Sequence, residues 1–363
     1  MTIRRKLLNF GTRSTDYRMG AGAFSELSKM LAAAVGRPCR AFVLAGEDVD
    51  DERMVQVRRS LIDAGYRVEE MLFDGESALR FSSVSLVVER LAAAGITSED
   101  LILGVGGSPV CSLAAYVARV WCGGTACALI PTTLDAMVLL PTQMMPLAVT
   151  GDPAGVNLAP EVSLVISDLD FVTNAGVDQN GLGYALICAA YLAESSRCWG
   201  ELESVIEGLN EGRDSSFVEA ISTAQTSRLN TVKSASPSAR RAFMFGETTS
   251  RALGMCLADS GAPAYRLLAE GMRFEARLAV DACDFSVDEM FSLDDHLEDL
   301  GIEELSFDLE TARFIDALRS ERFRRSNRFQ LALPKYAGII RLATVDDEVL
   351  ERHAAAFLAS RRS

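Results

Sequence analysis

Gly106, Gly107 and Ser108 follow a short apolar run (101–105) and precede a periodic apolar segment, which makes them this chain's first candidates for anion chemistry. Glycines let a backbone with exposed N–H groups come close to a phosphate at the start of a helix. The stretch continues to another apolar run, 126–130, closed by Pro131, Thr132 and Thr133. Strand, glycine turn, helix, strand over about thirty residues is the length of one right-handed βαβ crossover. The turn is either a phosphate or dinucleotide cradle or a tight strand-to-helix turn with no ligand, because its spacing departs from the six-residue dinucleotide fingerprint. A second set lies downstream. Arg240, Met244, Glu247 and Arg251 are spaced i, i+4, i+7, i+11 and share one face of an expected helix over 238–257. Glu247 ahead of Arg251 is the favourable order for a helix ion pair, which either neutralises itself or serves a charged ligand. Arg240 can grip a carboxylate or phosphate with two hydrogen bonds. Tyr184 is a proton or hydrogen-bond donor, or a core tyrosine.

These residues need elements to hold them. Apolar runs at 40–45, 67–72, 101–105, 126–130 and 162–167 read as strands, and 23–34, 51–64 and 83–94 as helices, the last ended by Gly95 as a cap. Such alternation calls for a parallel sheet covered on both faces. After Thr133 it stops in a Pro/Met-rich region, and from Gly176 the periods are helical: 178–196, 198–208, 214–232, 238–257, 263–281, 286–300 and 308–320. Two extended runs, 329–333 and 338–342, precede a closing helix over 346–360. The expected architecture is an α/β, Rossmann-like parallel-sheet domain over 1–175 followed by a mostly α-helical domain over 176–363. The cleft between them is the default site.

Composition narrows the function classes. With 363 residues, 49% hydrophobic and 24% charged, the chain is long and apolar enough for substantial cores. A net charge of −14 argues against nucleic acid and against an anionic membrane surface, and the basic stretch 319–328 reads as a solvated face. No apolar run reaches the roughly eighteen residues of a membrane span. The eight cysteines form no CxxC pair and no His/Cys grouping, so reduced thiols and a cytoplasmic location are expected. His296 and His353 read as surface residues.

The order of Tyr17-Arg18-Met19-Gly20-Ala21-Gly22, Asp74-Gly75-Glu76, the glycine turn at 104–107, the 121–133 segment ending Pro-Thr-Thr, Gly155-Val156-Asn157, Gly181-Leu182-Gly183 and Phe245-Gly246 resembles the 3-dehydroquinate synthase family of the sugar phosphate cyclases. The likeness runs from about residue 15 to residue 345. It implies an NAD-binding α/β domain, a helical second domain, a divalent metal and a homodimer. It also implies cyclisation of a phosphorylated sugar or sugar acid by transient oxidation, phosphate elimination, reduction, ring opening and aldol closure. The cofactor positions carried over are Glu47, Asp74, Gly75, Glu76, Gly106, Gly107, Ser108, Thr132 and Thr133. The family's metal ligands fall on Tyr184, Glu247 and Ala264; only Glu247 is an expected oxygen donor, and since a catalytic zinc needs about three ligands, no metal is expected. The family's second histidine falls on Arg251 and its substrate arginine on Arg240. Asn157 is kept as a substrate residue, whereas the lysines and the arginine that would surround a phosphate are replaced, among them by Met145, Val156 and Gly123, and the pair before Arg328-Phe329 is lost; Ile187, one turn from Tyr184, also stands where relatives carry a lysine.

Without metal, phosphate lysines and histidines, stabilisation of enolate-like states is missing. The resemblance therefore implies a divergent member that keeps the fold and the NAD site without the standard activity. It would bind a small molecule, and would be a homodimer or the partner of an active relative. Two alternatives stay open: an NAD-linked enzyme with altered chemistry using Tyr184, Arg240, Glu247 and Arg251, or an active, phosphate-eliminating cyclase.

Overall fold

The computed structural model describes residues 3–36, 39–150, 152–157, 162–325 and 330–362, with backbone alone for 152–153 and 322–325. Arg328, Phe329 and part of the basic stretch 319–328 lie outside the described residues. The chain divides into two compact units, Met1–Asn174 and Ala175–Ser363.

The first unit is built on a seven-stranded sheet. In chain order its strands are β1 (Arg4–Asn9), β2 (Ser14–Gly20), β3 (Arg40–Gly46), β4 (Arg67–Phe73), β5 (Leu101–Gly106) and β6 (Ala126–Pro131); a separate hairpin of β7 (Leu147–Val149) and β8 (Asp152–Val156) follows, and β9 (Leu164–Asp168) returns to the sheet. The spatial order is β1-β2-β9-β6-β5-β3-β4, parallel throughout except for the β1–β2 pair. Every residue of β5 is buried, as a strand covered on both faces requires. On one face Val43, Leu103, Ile130 and Ile166 pack with Leu27, Leu31, Val57 and Leu61 from the covering helices. The helix Phe81–Ala94 ends on Gly95 at φ 65, the left-handed cap expected there. The expected βαβ unit is present as β5, the helix Ser108–Val120 and β6.

The β1–β2 hairpin was not among the expected strands. β1 is an edge strand in which Leu8 alone is buried while Leu7 is 58% exposed, so no alternating apolar signal exists to read. β2 buries the polar pair Thr15 and Asp16; the Asp16 carboxylate is held by Arg5 and Arg18.

The second unit is mostly helical: Val177–Glu194, Ser196–Asn210, Asp214–Lys233, Glu247–Cys256, Ala264–Cys283, Val287–Asp299, Thr311–Arg325 and Asp347–Ser360, with one antiparallel hairpin, β10 (Leu331–Tyr336) and β11 (Ile339–Ala343). The Ala264–Cys283 helix runs through its middle and buries charge as well as hydrocarbon. Glu270 and Arg273 are fully buried and paired at 3.0 Å, and Arg361 donates to the other Glu270 oxygen at 2.6 Å. Arg273 also donates to the Ile302 carbonyl at 2.8 Å, and Leu305 N–H donates to Glu270 at 3.1 Å.

One expected element is corrected. The segment 238–257 is not a single helix: a 3₁₀ turn, Ala239–Met244, is separated from the helix Glu247–Cys256 by Gly246 at φ 77. The proposed common face of Arg240, Met244, Glu247 and Arg251 is therefore broken between Met244 and Glu247. The cause is tertiary: a Cβ on Gly271 would lie 2.2 Å from the Gly246 carbonyl oxygen, so the two backbones cross in contact.

Candidate functional site

The carboxyl ends of β3, β4, β5 and β6 surround a cavity of about 520 Å³ in the first unit. Its wall contains Glu47, Asp74, Gly75, Gly107, Ser108 and Thr133, six of the nine cofactor positions taken from the sequence. Of the remaining three, Gly106 and Thr132 join adjacent strand ends beside it. Gly106, at φ 145, sits where an added Cβ would lie 3.3 Å from the Gly46 nitrogen, and its carbonyl accepts from Thr132 N–H at 3.1 Å. Glu76 turns away, to an exposed pair with Arg80.

The turn is shaped for close approach. Gly107 is the N-cap of the Ser108–Val120 helix and supplies no side-chain cap, so helix N–H groups face the cavity mouth without one. The Thr133 hydroxyl oxygen is buried there without a hydrogen-bond partner. Asp74 caps the short Gly75–Ala78 helix through Ser77 N–H at 2.8 Å, and the hydrogen bonds from Ser77 hold its carboxyl below the usual range. Two acids missed in the sequence also line the wall: Asp48 and Asp135, the latter accepting from the Ser108 hydroxyl at 2.7 Å. No arginine or lysine is among the lining residues. Glu47, Asp48, Asp74 and Asp135 suit the hydroxyls of a ribose and oppose any additional phosphate. A second cavity of about 490 Å³, at the opposite ends of β6 and β9 beside Arg13 and Arg119, holds none of the site residues read from the sequence.

The remaining candidates lie elsewhere. Asn157 is exposed after β8 and donates to the Ala154 carbonyl at 3.2 Å. In the second unit Glu247 and Arg251 are paired at 3.5 Å. Arg240 is exposed on the 3₁₀ turn. Tyr184 is buried; its hydroxyl accepts from the Asn180 amide at 3.3 Å, and burial raises its pKa, so it stays a neutral phenol. His296 is not a solvated surface residue: it packs edge-on against Trp199 with centroids 4.7 Å apart, and burial lowers its pKa.

Two buried charges near Glu247 gave no signal in the sequence, since buried and exposed Glu and Arg look alike there. Arg228, on the Asp214–Lys233 helix, is 1% exposed with its guanidinium 4.3 Å over the Phe243 ring. Burial pushes it down to about 10, opposed by the charge of Glu247. Glu275 caps the Glu247–Cys256 helix from outside, accepting from Gly246 N–H at 2.7 Å, Thr249 N–H at 3.3 Å and the Thr249 hydroxyl at 2.7 Å.

Burial raises Glu275 from 4.5 to about 8, and the neighbouring Glu247 charge adds to it. The folded state thus holds a proton that the unfolded chain releases at lower pH. Stability from this group should fall as pH rises from about 4.5 to about 8, by up to about 1.4 kcal/mol per pH unit. Glu275→Gln, which cannot ionise, should flatten that slope in thermal unfolding. A wild-type minus variant difference that stays constant between those pH values would refute the assignment.

Several known proteins are similar to this chain. The 3-dehydroquinate synthase N-terminal family model matches residues 70–140. A 3-dehydroquinate synthase of Thermobifida fusca is 34% identical over 46% of this chain and 42% of its own length, and one of Caulobacter vibrioides is 25% identical over 77% and 78%. The chain thus spans less than half of the first of these relatives. Among solved structures, a 2-deoxy-scyllo-inosose synthase complexed with carbaglucose-6-phosphate, NAD+ and Co2+ superimposes with a TM-score of 0.85 at 15% identity, over 97% of this chain and 99% of that one. A 2-epi-5-epi-valiolone synthase from Streptomyces hygroscopicus with NAD+ and Zn2+ bound gives 0.80 at 18% identity, over 98% and 99%.

Proposed function

Since the chain belongs to the sugar phosphate cyclase superfamily, we propose that it binds a nicotinamide dinucleotide at the carboxyl ends of β3 to β6 and does not run the standard metal-dependent cyclisation. The observation that carries the reading is the convergence of Glu47, Asp74, Gly75, Gly107, Ser108 and Thr133 on one cavity. Two features fit the group: the uncapped helix start at Gly107, suited to a pyrophosphate, and the buried, unpartnered Thr133 hydroxyl. A bound nicotinamide ring supplies hydride transfer. The chain's own part is to hold it: Glu47, Asp48 and Asp74 accept from ribose hydroxyls, and Thr133 donates to a phosphate oxygen.

The acidic wall also sets specificity. A ribose 2′-phosphate would meet carboxylates and no arginine or lysine lining the cavity. Calorimetric titration should show NADH binding, with NADPH at least about tenfold weaker, the equivalent of about 1.4 kcal/mol. Thr133→Val should weaken NADH by roughly three- to tenfold, the worth of one hydrogen bond. No NADH binding at millimolar concentration would overturn the cofactor assignment. Separately, ordinary turnover of a phosphorylated seven-carbon sugar acid, read as phosphate release, would overturn the loss of cyclase activity.

A further inference from the structure

The segments that leave β3, β4, β5 and β6 at the cavity end of the sheet, residues 47–53, 74–80, 107–112 and 132–135, carry eight carboxylates and two arginines. Both arginines are answered by neighbours: Arg53 lies 3.8 Å from Asp50, and Arg80 pairs with Glu76. Of the six acids that remain, Glu47, Asp48, Asp74 and Asp135 line the cavity itself. The next strand along the sheet, β9, ends in Asp168 and Asp170 and adds no base. Between Arg119 and Arg197 the chain contains no lysine or arginine at all. The first unit therefore presents a negative wall to anything bound at these strand ends.

The positive feature there is the uncapped start of the Ser108–Val120 helix, equivalent to about half a charge and felt within its first turn. Even this start has an acid beside it, since Ser108 turns its hydroxyl onto Asp135 at 2.7 Å. The wall is not the shell of a cation: among the described residues no three His, Cys, Asp or Glu side chains come together to hold a metal.

The two redox forms of a nicotinamide dinucleotide share their phosphates and ribose hydroxyls and differ in one charge, because the oxidised ring is a cation and the reduced ring is neutral. Contacts to hydroxyls and pyrophosphate cancel when the two forms are compared, and the field of the wall remains. We propose that this wall makes the site selective for the oxidised cofactor, so that NAD+ binds more tightly than NADH. The inference rests on the cofactor reading above and adds the redox state to it. By linkage, each tenfold of preference lowers the midpoint potential of the bound couple by about 30 mV. The bound cofactor is then harder to reduce, and its reduced form is a stronger hydride donor.

The full-length protein is titrated calorimetrically with NAD+ and, separately, with NADH, at low and at high salt. The expected preference for NAD+ is roughly five- to fiftyfold at low ionic strength, several carboxylates acting on one charge across about 10 Å of partly aqueous cavity. It should shrink as salt screens them. Asp135→Asn keeps an oxygen for the Ser108 hydroxyl and should cut the preference about two- to fivefold. Glu99→Gln, the same change of charge in the exposed turn before β5 at the other end of the sheet, should leave it unchanged. Equal binding of the two forms, or tighter NADH, would overturn the proposal and leave the cofactor reading standing. A preference for NAD+ that neither salt nor Asp135→Asn moves would overturn it too, because the wall would not be its source. Binding of neither form would remove the cofactor reading and this inference with it.

Discussion

Glu270→Ala is expected to destabilise the chain by about 3–5 kcal/mol, the cost of removing one partner from a buried ion pair. Glu270 has no exposure to solvent and divides its two oxygens between buried guanidiniums, Arg273 at 3.0 Å and Arg361 at 2.6 Å. After truncation Arg273 keeps the Ile302 carbonyl and a longer contact of 3.6 Å to Asp294, while Arg361 keeps Glu304 at 2.8 Å near the surface. Neither replaces the central carboxylate, and the Leu305 N–H also loses its acceptor. Each kcal/mol moves the midpoint of a 150–250-residue unit by about 2–4 °C, so a fall on the order of 10 °C should appear in thermal unfolding. Glu70→Ala serves as the contrast: its pair with Arg58 lies at the surface, 48% exposed on the arginine side, and should change stability by less than about 1 kcal/mol. Equal effects of the two substitutions would mean that the buried network does not hold the second unit together.

What the sequence reveals follows from where the free energy resides. The 101–133 segment is legible because β5 and β6 are continuous apolar runs in a two-sided sheet and because its glycines and the Pro-Thr-Thr end mark the strand ends. That Glu47, Asp74, Gly75, Gly107, Ser108 and Thr133 line one cavity is legible for the same reason: motifs at strand ends are brought together by a parallel sheet. Asp48 and Asp135 carry no motif, and only the cavity relates them to Glu47 and Ser108. β1 escapes because an edge strand with one buried residue has no period to detect. Arg228, Glu270 and Glu275 escape because nothing in a residue's type says that its charge is buried. The break at Gly246 is hidden more deeply still. A lone glycine is tolerated inside a helical pattern, and the reason for this one sits 25 residues away, at Gly271.

That contact makes two chemically identical substitutions act in opposite directions. Gly271→Ala places a methyl group 2.2 Å from the Gly246 carbonyl oxygen and 2.9 Å from the Ser250 nitrogen. Both atoms belong to the first hydrogen bond of the Glu247–Cys256 helix, Ser250 N–H to Gly246 O at 2.8 Å. Backbone cannot rotate out of the way as a side chain can, so the helices must separate, and overpacking of this kind costs about 1–3 kcal/mol or more. The displaced segment carries the paired Glu247 and Arg251, which shift with it as the unfolding midpoint falls. Gly254, on the same helix, meets only the tip of Leu267 at 3.6 Å, an ordinary contact. Gly254→Ala therefore gains helix propensity without a clash and should stabilise by up to about 1 kcal/mol. Measured side by side, the two variants should move the midpoint in opposite senses. If Gly271→Ala proves neutral, the close crossing that places Glu247 is not a feature of the folded protein.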